Sequence, residues 1–271
     1  QLLKLQGLIQ QPGLVTPSSE ERCMQLAYNA KLSSGCISRQ VGAVITDSEF
    51  SVKSIGWNDV PRGAISCSLR NVKEIGIDSF GFSDFELGIG LTEKENQNNN
   101  ISANPDNSDL DKESQEFHSY LKTNFTEEKL NSKELGGINC PYCFKTAYNK
   151  FKGESNQVHT RSLHAEENAM MQISKYGGQP LNGGFLFTTA SPCELCAKKA
   201  YQLGITNIFY IDPYPGISRS HILKQNIASN PNMSMFHGAI GRGYIKLYEP
   251  FMAQKDEISI LTSHSVTTPQ K

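Results

Sequence analysis

Two short runs constrain this chain more than anything else in it. They are His164-Ala165-Glu166 and, 26 residues beyond that glutamate, Pro192-Cys193-Glu194-Leu195-Cys196. One imidazole and two thiolates make three zinc ligands and leave a tetrahedral ion one open position for water. A closed structural zinc site shows four Cys or His ligands, so three ligands beside a carboxylate point to chemistry rather than to bracing alone. Zinc lowers the pKa of water from about 15.7 toward about 7. Glu166 is not needed as a ligand and is free to carry protons. A lone C-x-x-C or a lone HAE triplet is a weak signal, whereas the pair in this order and at this separation is specific. Any fold this chain adopts must bring the two runs to one point.

The surrounding pattern shows how. Ala165 to Tyr176 predicts a helix ended by Gly177-Gly178, Gly184 to Thr189 a strand, Cys193 to Leu203 a second helix and Asn207 to Ile211 another strand. Strand, helix and strand at this spacing favour a parallel pair joined by a crossover helix. Both runs then fall at helix N-termini, where partial positive charge favours thiolate at Cys193 and Cys196. Upstream, Ser18-Ser19-Glu20-Glu21 reads as a capping box opening a helix to about Leu32. Val41 to Ile45 and Ser51 to Ile55 read as a hairpin, followed by a loop from Trp57 to Gly63. Tyr244 to Tyr248 reads as a late strand, and the last dozen residues as frayed.

The 271 residues suffice for one large domain or two small ones. Hydrophobic residues make up 38%, low for a compact chain, so part of it is expected to lie outside the core. That part is an insert at about 68–158. Its stretch from Thr92 to Glu116 is rich in Asn, Glu and Ser and reads as low-complexity chain. Phe117, Leu121, Phe125 and Leu130 then recur at roughly helical spacing, predicting one or two short helices. We expect residues 1–17 to be an N-terminal extension, 18–217 the main domain carrying the insert, and 218–271 a C-terminal extension. The chain starts without an initiator Met and without a secretion signal, as if inside a longer polypeptide. Net charge is −1, from 26 basic and 27 acidic residues, which gives no electrostatic case for nucleic acid. No apolar stretch is long enough to span a membrane. Seven cysteines, an odd number, favour a reducing compartment and metal-bound thiols over a disulfide framework, and hence a cytoplasmic location.

H-x-E…P-C-x-x-C is the signature of zinc-dependent nucleobase deaminases. The chain resembles the cytidine and deoxycytidylate deaminase superfamily, and within it the deoxycytidylate (dCMP) deaminase branch. The resemblance lies in Ser38 to Ile45, Gly56 to Gly63, His164 to Ala169 and Ser191 to Cys196. It implies a three-layer α/β/α cytidine deaminase-like fold with a central five-stranded mixed sheet. It also implies a catalytic zinc on His164, Cys193 and Cys196, with Glu166 as the proton shuttle. Implied substrate contacts are Ser38 and Arg39 at the phosphate and Asn58 at sugar and base; Ala165 and Tyr214 are further candidate contacts, with Tyr214 able to stack on a pyrimidine ring. Trp57 stands where tyrosine is usual and Asp59 where glycine is usual, so the pocket rim departs from the family pattern. The insert, the unusual start and the long tail also resemble the deaminase part of anti-phage dCTP deaminases. Allosteric control by dCTP or dTTP and homo-oligomers occur in this branch.

Some viral dCMP deaminases carry a second, structural zinc. By that resemblance we expect one here on Cys36, Cys67, Cys140 and Cys143, with His159 as a substitute ligand. Cys140-Pro141-Tyr142-Cys143 has knuckle spacing in its own right, and Cys23 is expected to be a buried apolar residue. The expected activity is hydrolytic deamination of a free deoxycytidine nucleotide, dCMP or dCTP. Two alternatives stay open. A polynucleotide base deaminase would need a basic groove and stacking aromatics. A nucleotide-binding regulatory module without turnover would have no use for Glu166.

Overall fold

A computed structural model describes residues 2–75, 80–90, 106–125, 135–178, 180–225 and 230–263. They form two compact units, one of residues 1–33, 41–57 and 165–271, the other of residues 34–40 and 58–164.

The first unit is built on a five-stranded sheet of order β2-β1-β3-β4-β5. Its strands are β1 (Gly42–Thr46), β2 (Val52–Trp57), β3 (Phe185–Ala190), β4 (Asn207–Asp212) and β5 (Asn232–Met235). β1 pairs antiparallel with β2 and with β3, while β3–β4 and β4–β5 are parallel. β1 is buried along all five residues and reads as a continuous apolar run, as an interior strand must. The period of two sorts its side chains between two cores. Ala43, Ile45, Leu186 and Ile208 pack with Ala165, Ala169, Ala197 and Ala200. Those alanines come from helices α6 (Ala165–Lys175) and α7 (Glu194–Gln202). Val44 and Phe187 pack on the opposite face with Cys23, Met24 and Ala27 of α2 (Ser19–Ala30), where the Phe187 ring stacks on Phe209 at 4.8 Å. Helices thus cover both faces of a mixed sheet, the three-layer class expected. Cys23 is fully buried, and α2 opens on the expected capping box between Ser18 and Glu21.

Helix and sheet approach closely because glycine stands where they touch. A Cβ on Gly42 would lie 2.1 Å from the Ala27 carbonyl oxygen, and one on Gly56 2.4 Å from that of Ala165. Backbone at those distances cannot yield without moving a helix.

Two readings of this unit need correction. Tyr244 to Tyr248 is not a strand but part of a helix, α8 (Gly241–Tyr248), and the sheet's last place is taken by β5. A five-residue run fits both periods. Here the four-residue spacing decides, since Tyr244 and Tyr248 pair with ring centroids 5.0 Å apart and the Tyr248 hydroxyl donates to Glu21 Oε1 at 2.7 Å. The N-terminal stretch also forms a helix, α1 (Leu2–Gln10), whose Lys4 meets the same glutamate at 3.1 Å. A last helix, α9 (Gln254–Thr262), covers part of the stretch expected to fray, and 264–271 lie outside the described residues.

The second unit has its own apolar cluster, which includes Val72, Phe117, Leu121, Tyr142 and Ala147. Among the described residues its α-helices are α3 (Asp84–Leu87), α4 (Asp106–Asn124) and α5 (Phe144–Lys152). Of the stretch expected to lack pattern, 92–105 lie outside the described residues, but from Asp106 onward it is helical. From Ser108 on, most of its polar residues are exposed or half-buried, Ser114 is buried and donates to the Phe85 carbonyl, and fully buried Phe117 and Leu121, four residues apart, anchor it. Helix expected at 126–134 likewise lies outside the described residues. A buried ion pair joins Arg70 to Glu86, which also accepts the Tyr142 hydroxyl. Burial opposes ionisation of that carboxyl, but the guanidinium and the Ser83 N–H hold it below its usual range.

Candidate active site

α6 and α7 both start at the same edge of the core, and their first turns carry the two runs. His164 directly precedes Ala165, the first residue of α6. Cys193 is the N-cap of α7 with extended backbone, and its sulfur makes no capping bond; Cys196 lies in the first turn. One ligand atom from each of His164, Cys193 and Cys196 lies within 4.8 Å of the others. The edges of a zinc tetrahedron with these donors are about 3.5–3.8 Å, so a small contraction onto an ion completes the set. Among the described residues it is the only such group of three or more His, Cys, Asp or Glu.

The chemistry of the donors also fits a cation. The hydrogen bond with Cys193, then burial, then the negative charge of Glu166 all push the Cys196 thiol upward. Two buried sulfurs beside a carboxylate are unfavourable as anions by themselves, and a divalent cation reverses that preference. Glu166 is in the first turn of α6 and is 4% exposed. Thr188 Oγ1 of β3 approaches its Oε1 at 3.3 Å. Neither Thr188 nor Asn168, whose amide donates to the Trp57 carbonyl at 3.0 Å, was singled out from sequence. The strand alternation that puts Leu186 and Thr188 on the α6 face was the available signal for Thr188.

The residues flanking Cys193 hold the next loop. Ser191 donates its N–H to the Asp212 carbonyl at 2.9 Å, and its hydroxyl accepts the Tyr214 N–H at 2.6 Å. Glu194 Oε1 accepts the Ile217 N–H at 2.8 Å. Tyr214, expected beside the ring, therefore sits on a segment tied to the Cys193 end of α7. Ala165 is fully buried, with its carbonyl against Gly56.

Within the second unit, Ser38 and Arg39 are exposed on a loop. Asn58 is buried, donates to the Arg39 carbonyl at 2.7 Å and accepts the Ser34 hydroxyl at 2.8 Å. The asparagine expected at the sugar thus also fixes the loop that carries Arg39. The four cysteines expected to share a second ion are not gathered within ligand distance of one another. Cys36 and Cys67 are on neighbouring segments joined by the Ser68 N–H to Gly35 carbonyl bond at 3.0 Å. Burial raises the Cys67 thiol, Cys36 adds to the rise, and Arg161 and Arg70 oppose it. The Cys140 carbonyl accepts the Val72 N–H at 2.9 Å. His159, the substitute, packs edge-on against the Tyr148 ring at 4.6 Å.

Residues 95–212, which contain both runs, match the family model of the cytidine and deoxycytidylate deaminase zinc-binding region. The match spans less than half of the chain, and that region is similar to the cytidine and deoxycytidylate deaminase superfamily. Proteins of similar sequence include deoxycytidylate deaminases. The deoxycytidylate deaminase of enterobacteria phage T4 is 24% identical over 191 residues, covering 70% of this chain and 76% of that protein. ComE operon protein 2 of Bacillus subtilis (strain 168) is 41% identical over 54 residues, which are 20% of this chain and 28% of that protein. The match to that relative thus spans little more than a quarter of its length. A solved structure of dCMP deaminase from the cyanophage S-TIM5, in complex with dCMP and dUMP, is 18% identical with a TM-score of 0.43 and covers 82% of this chain and 99% of that one. No described helix is long and apolar enough to cross a membrane.

Proposed function

We propose that this protein is a member of the cytidine and deoxycytidylate deaminase superfamily and hydrolyses the exocyclic amine of a free deoxycytidine nucleotide, dCMP or dCTP, giving the deoxyuridine nucleotide and ammonia. The observation that carries the reading is the meeting of His164, Cys193 and Cys196 at the N-terminal ends of α6 and α7, with the carboxylate of Glu166 buried in the first turn of α6. Zinc held by the three side chains supplies the Lewis acidity that makes water nucleophilic near neutral pH. Glu166 takes the proton from the attacking water as its oxygen bonds to C4, and delivers it to the ring nitrogen. It then takes the proton of the new C4 hydroxyl and passes it to the departing amine, so that the C4–N bond breaks as the C4 carbonyl forms. Burial of Glu166 keeps bulk water from competing for that proton. Tyr214, on the segment tied to Ser191 and Glu194, faces the base in this reading. Arg39 takes the phosphate, and Asn58 holds the loop that presents it.

Cys36, Cys67, Cys140 and Cys143 take a second, structural zinc in the same reading. The adjacency of the Gly35 and Cys67 segments, and of Val72 and Cys140, supports it, and an ion would draw the four sulfurs inward. Depletion of dCTP during infection, a cytoplasmic setting, assembly into homo-oligomers and control by dCTP or dTTP complete the proposal.

The experiment is to offer the protein dCMP, dCTP, CTP, deoxycytidine and single-stranded DNA and to measure ammonia and uracil product. Turnover of dCMP or dCTP supports the proposal, and turnover of DNA alone overturns it. Glu166→Gln is expected to lower kcat by about 10²–10⁴-fold, the range of a lost general acid–base group.

A further inference from the structure

We propose that Thr188 is a positioning residue for Glu166, orienting its carboxylate for proton transfer in the deamination proposed above, on which this inference rests. Thr188 lies in the interior strand β3 and is fully buried. A buried hydroxyl at such a place needs a partner, and this one has two. Its Oγ1 is 2.9 Å from the Ala190 carbonyl oxygen and 3.3 Å from Glu166 Oε1. A threonine hydroxyl carries one proton and two acceptor lone pairs, and a carbonyl oxygen only accepts. While the hydroxyl gives its proton to Ala190, it faces Glu166 with a lone pair and accepts from the carboxylic acid. Turned about its C–O bond, it donates instead to the carboxylate. A single torsion therefore lets Thr188 follow Glu166 through both states that a proton shuttle must visit, with no change of backbone.

The neighbouring residue shows that this is not a general use of threonine in the strand. Thr189 is also buried, but it points to the other face and accepts the Gly42 N–H at 3.1 Å, a bond between interior strands. Thr188 makes no bond of that kind. Its side-chain partners are its own strand's Ala190 carbonyl and the carboxylate on α6. Valine there would fill nearly the same space between its register partners Ala43 of β1 and Tyr210 of β4. The apolar core therefore gives no reason for a hydroxyl, whereas the contact with Glu166 does. The 3.3 Å separation is long for a hydroxyl–oxygen hydrogen bond, as catalytic contacts are before substrate tightens the site.

The test compares Thr188→Val, Thr188→Ala and Thr188→Ser with the parent protein and Glu166→Gln. Thermal midpoint, bound zinc, kcat and KM are read for whichever deoxycytidine nucleotide the parent turns over. Thr188→Val is expected to keep its zinc and its KM within about twofold while kcat falls at least tenfold. Thr188→Ser, which restores the hydroxyl, is expected to return kcat to within about threefold of the parent. If Thr188→Val does not fold, Thr188→Ala carries the same expectation for kcat and KM. Unchanged kcat in a folded, zinc-loaded hydroxyl deletion, or a Ser variant as slow as the Val variant, overturns the role of Thr188 while the deaminase reading stands. A parent protein inactive on every cytosine substrate overturns that reading and this inference together.

Discussion

At the scale of single residues, the unusual choices stand against the helix that carries Glu166. Gly56 is the clearest case. It has no side chain to bury, and its place in β2 would ordinarily favour a β-branched residue. The space is taken by the backbone of α6, with the Ala165 oxygen 2.4 Å and the Ala169 nitrogen 2.5 Å from where a Cβ would stand. Gly56→Ala must therefore push away the helix that carries Glu166. We expect a loss of about 1–3 kcal/mol in urea-unfolding free energy, the usual cost of overpacking, together with a larger proportional fall in kcat than in zinc content. A surface glycine such as Gly243, where a Cβ would meet nothing within 4 Å, is the control and should tolerate alanine.

At the scale of elements, α1 and α8 are fastened to α2 through one carboxylate. Glu21 of α2 accepts the Ser18 N–H at 2.9 Å, the Ala239 N–H at 3.2 Å and the Tyr248 hydroxyl at 2.7 Å, and meets Lys4 of α1 at 3.1 Å. Burial opposes its ionisation, but these donors outweigh it and hold the carboxyl at about 2. A carboxyl depressed in the folded state contributes stability that is complete above its unfolded value, near 4.5, and is lost as pH falls toward 2. The contribution at neutral pH is up to about 3 kcal/mol by linkage. Urea midpoints measured from pH 6 to pH 2.5 should fall more steeply for the parent than for Glu21→Gln, the two curves converging at the acid end. Parallel curves would show that α1 and α8 are held by apolar contact instead.

At the scale of the whole molecule, the metal is the quantity to follow. Binding by folded chain alone adds stability by mass action, and the thiols must lose protons to bind. Treatment with a chelator is expected to abolish turnover and lower the thermal midpoint, and added zinc to restore both. Elemental analysis should give two zinc ions per chain. In Cys193→Ser one should be lost with activity, and in Cys140→Ser the other should be lost with the catalytic ion retained. One ion per parent chain would remove the second site and leave the first untouched.

Local chemistry made the His164-Ala165-Glu166 and Cys193-to-Cys196 runs, the capping box, the hairpin and the β3-α7-β4 crossover legible without coordinates, because each is specified by residues close in sequence. His, Glu and Cys at fixed offsets suggest an ion and a proton carrier, and an apolar strand run between Gly signals names itself. What the residue order could not reveal is set by distant partners. The run Tyr244 to Tyr248 fits either period until Glu21, more than two hundred residues earlier, offers its carboxylate to Tyr248. The polar stretch from Asp106 becomes helix because Phe117 and Leu121 find an aromatic cluster assembled from other segments. Thr188 looks like any strand threonine until α6 brings Glu166 against it. The ligand set follows from side-chain chemistry, which travels with the sequence; the company each side chain keeps follows from packing, which exists only once the chain has closed on itself.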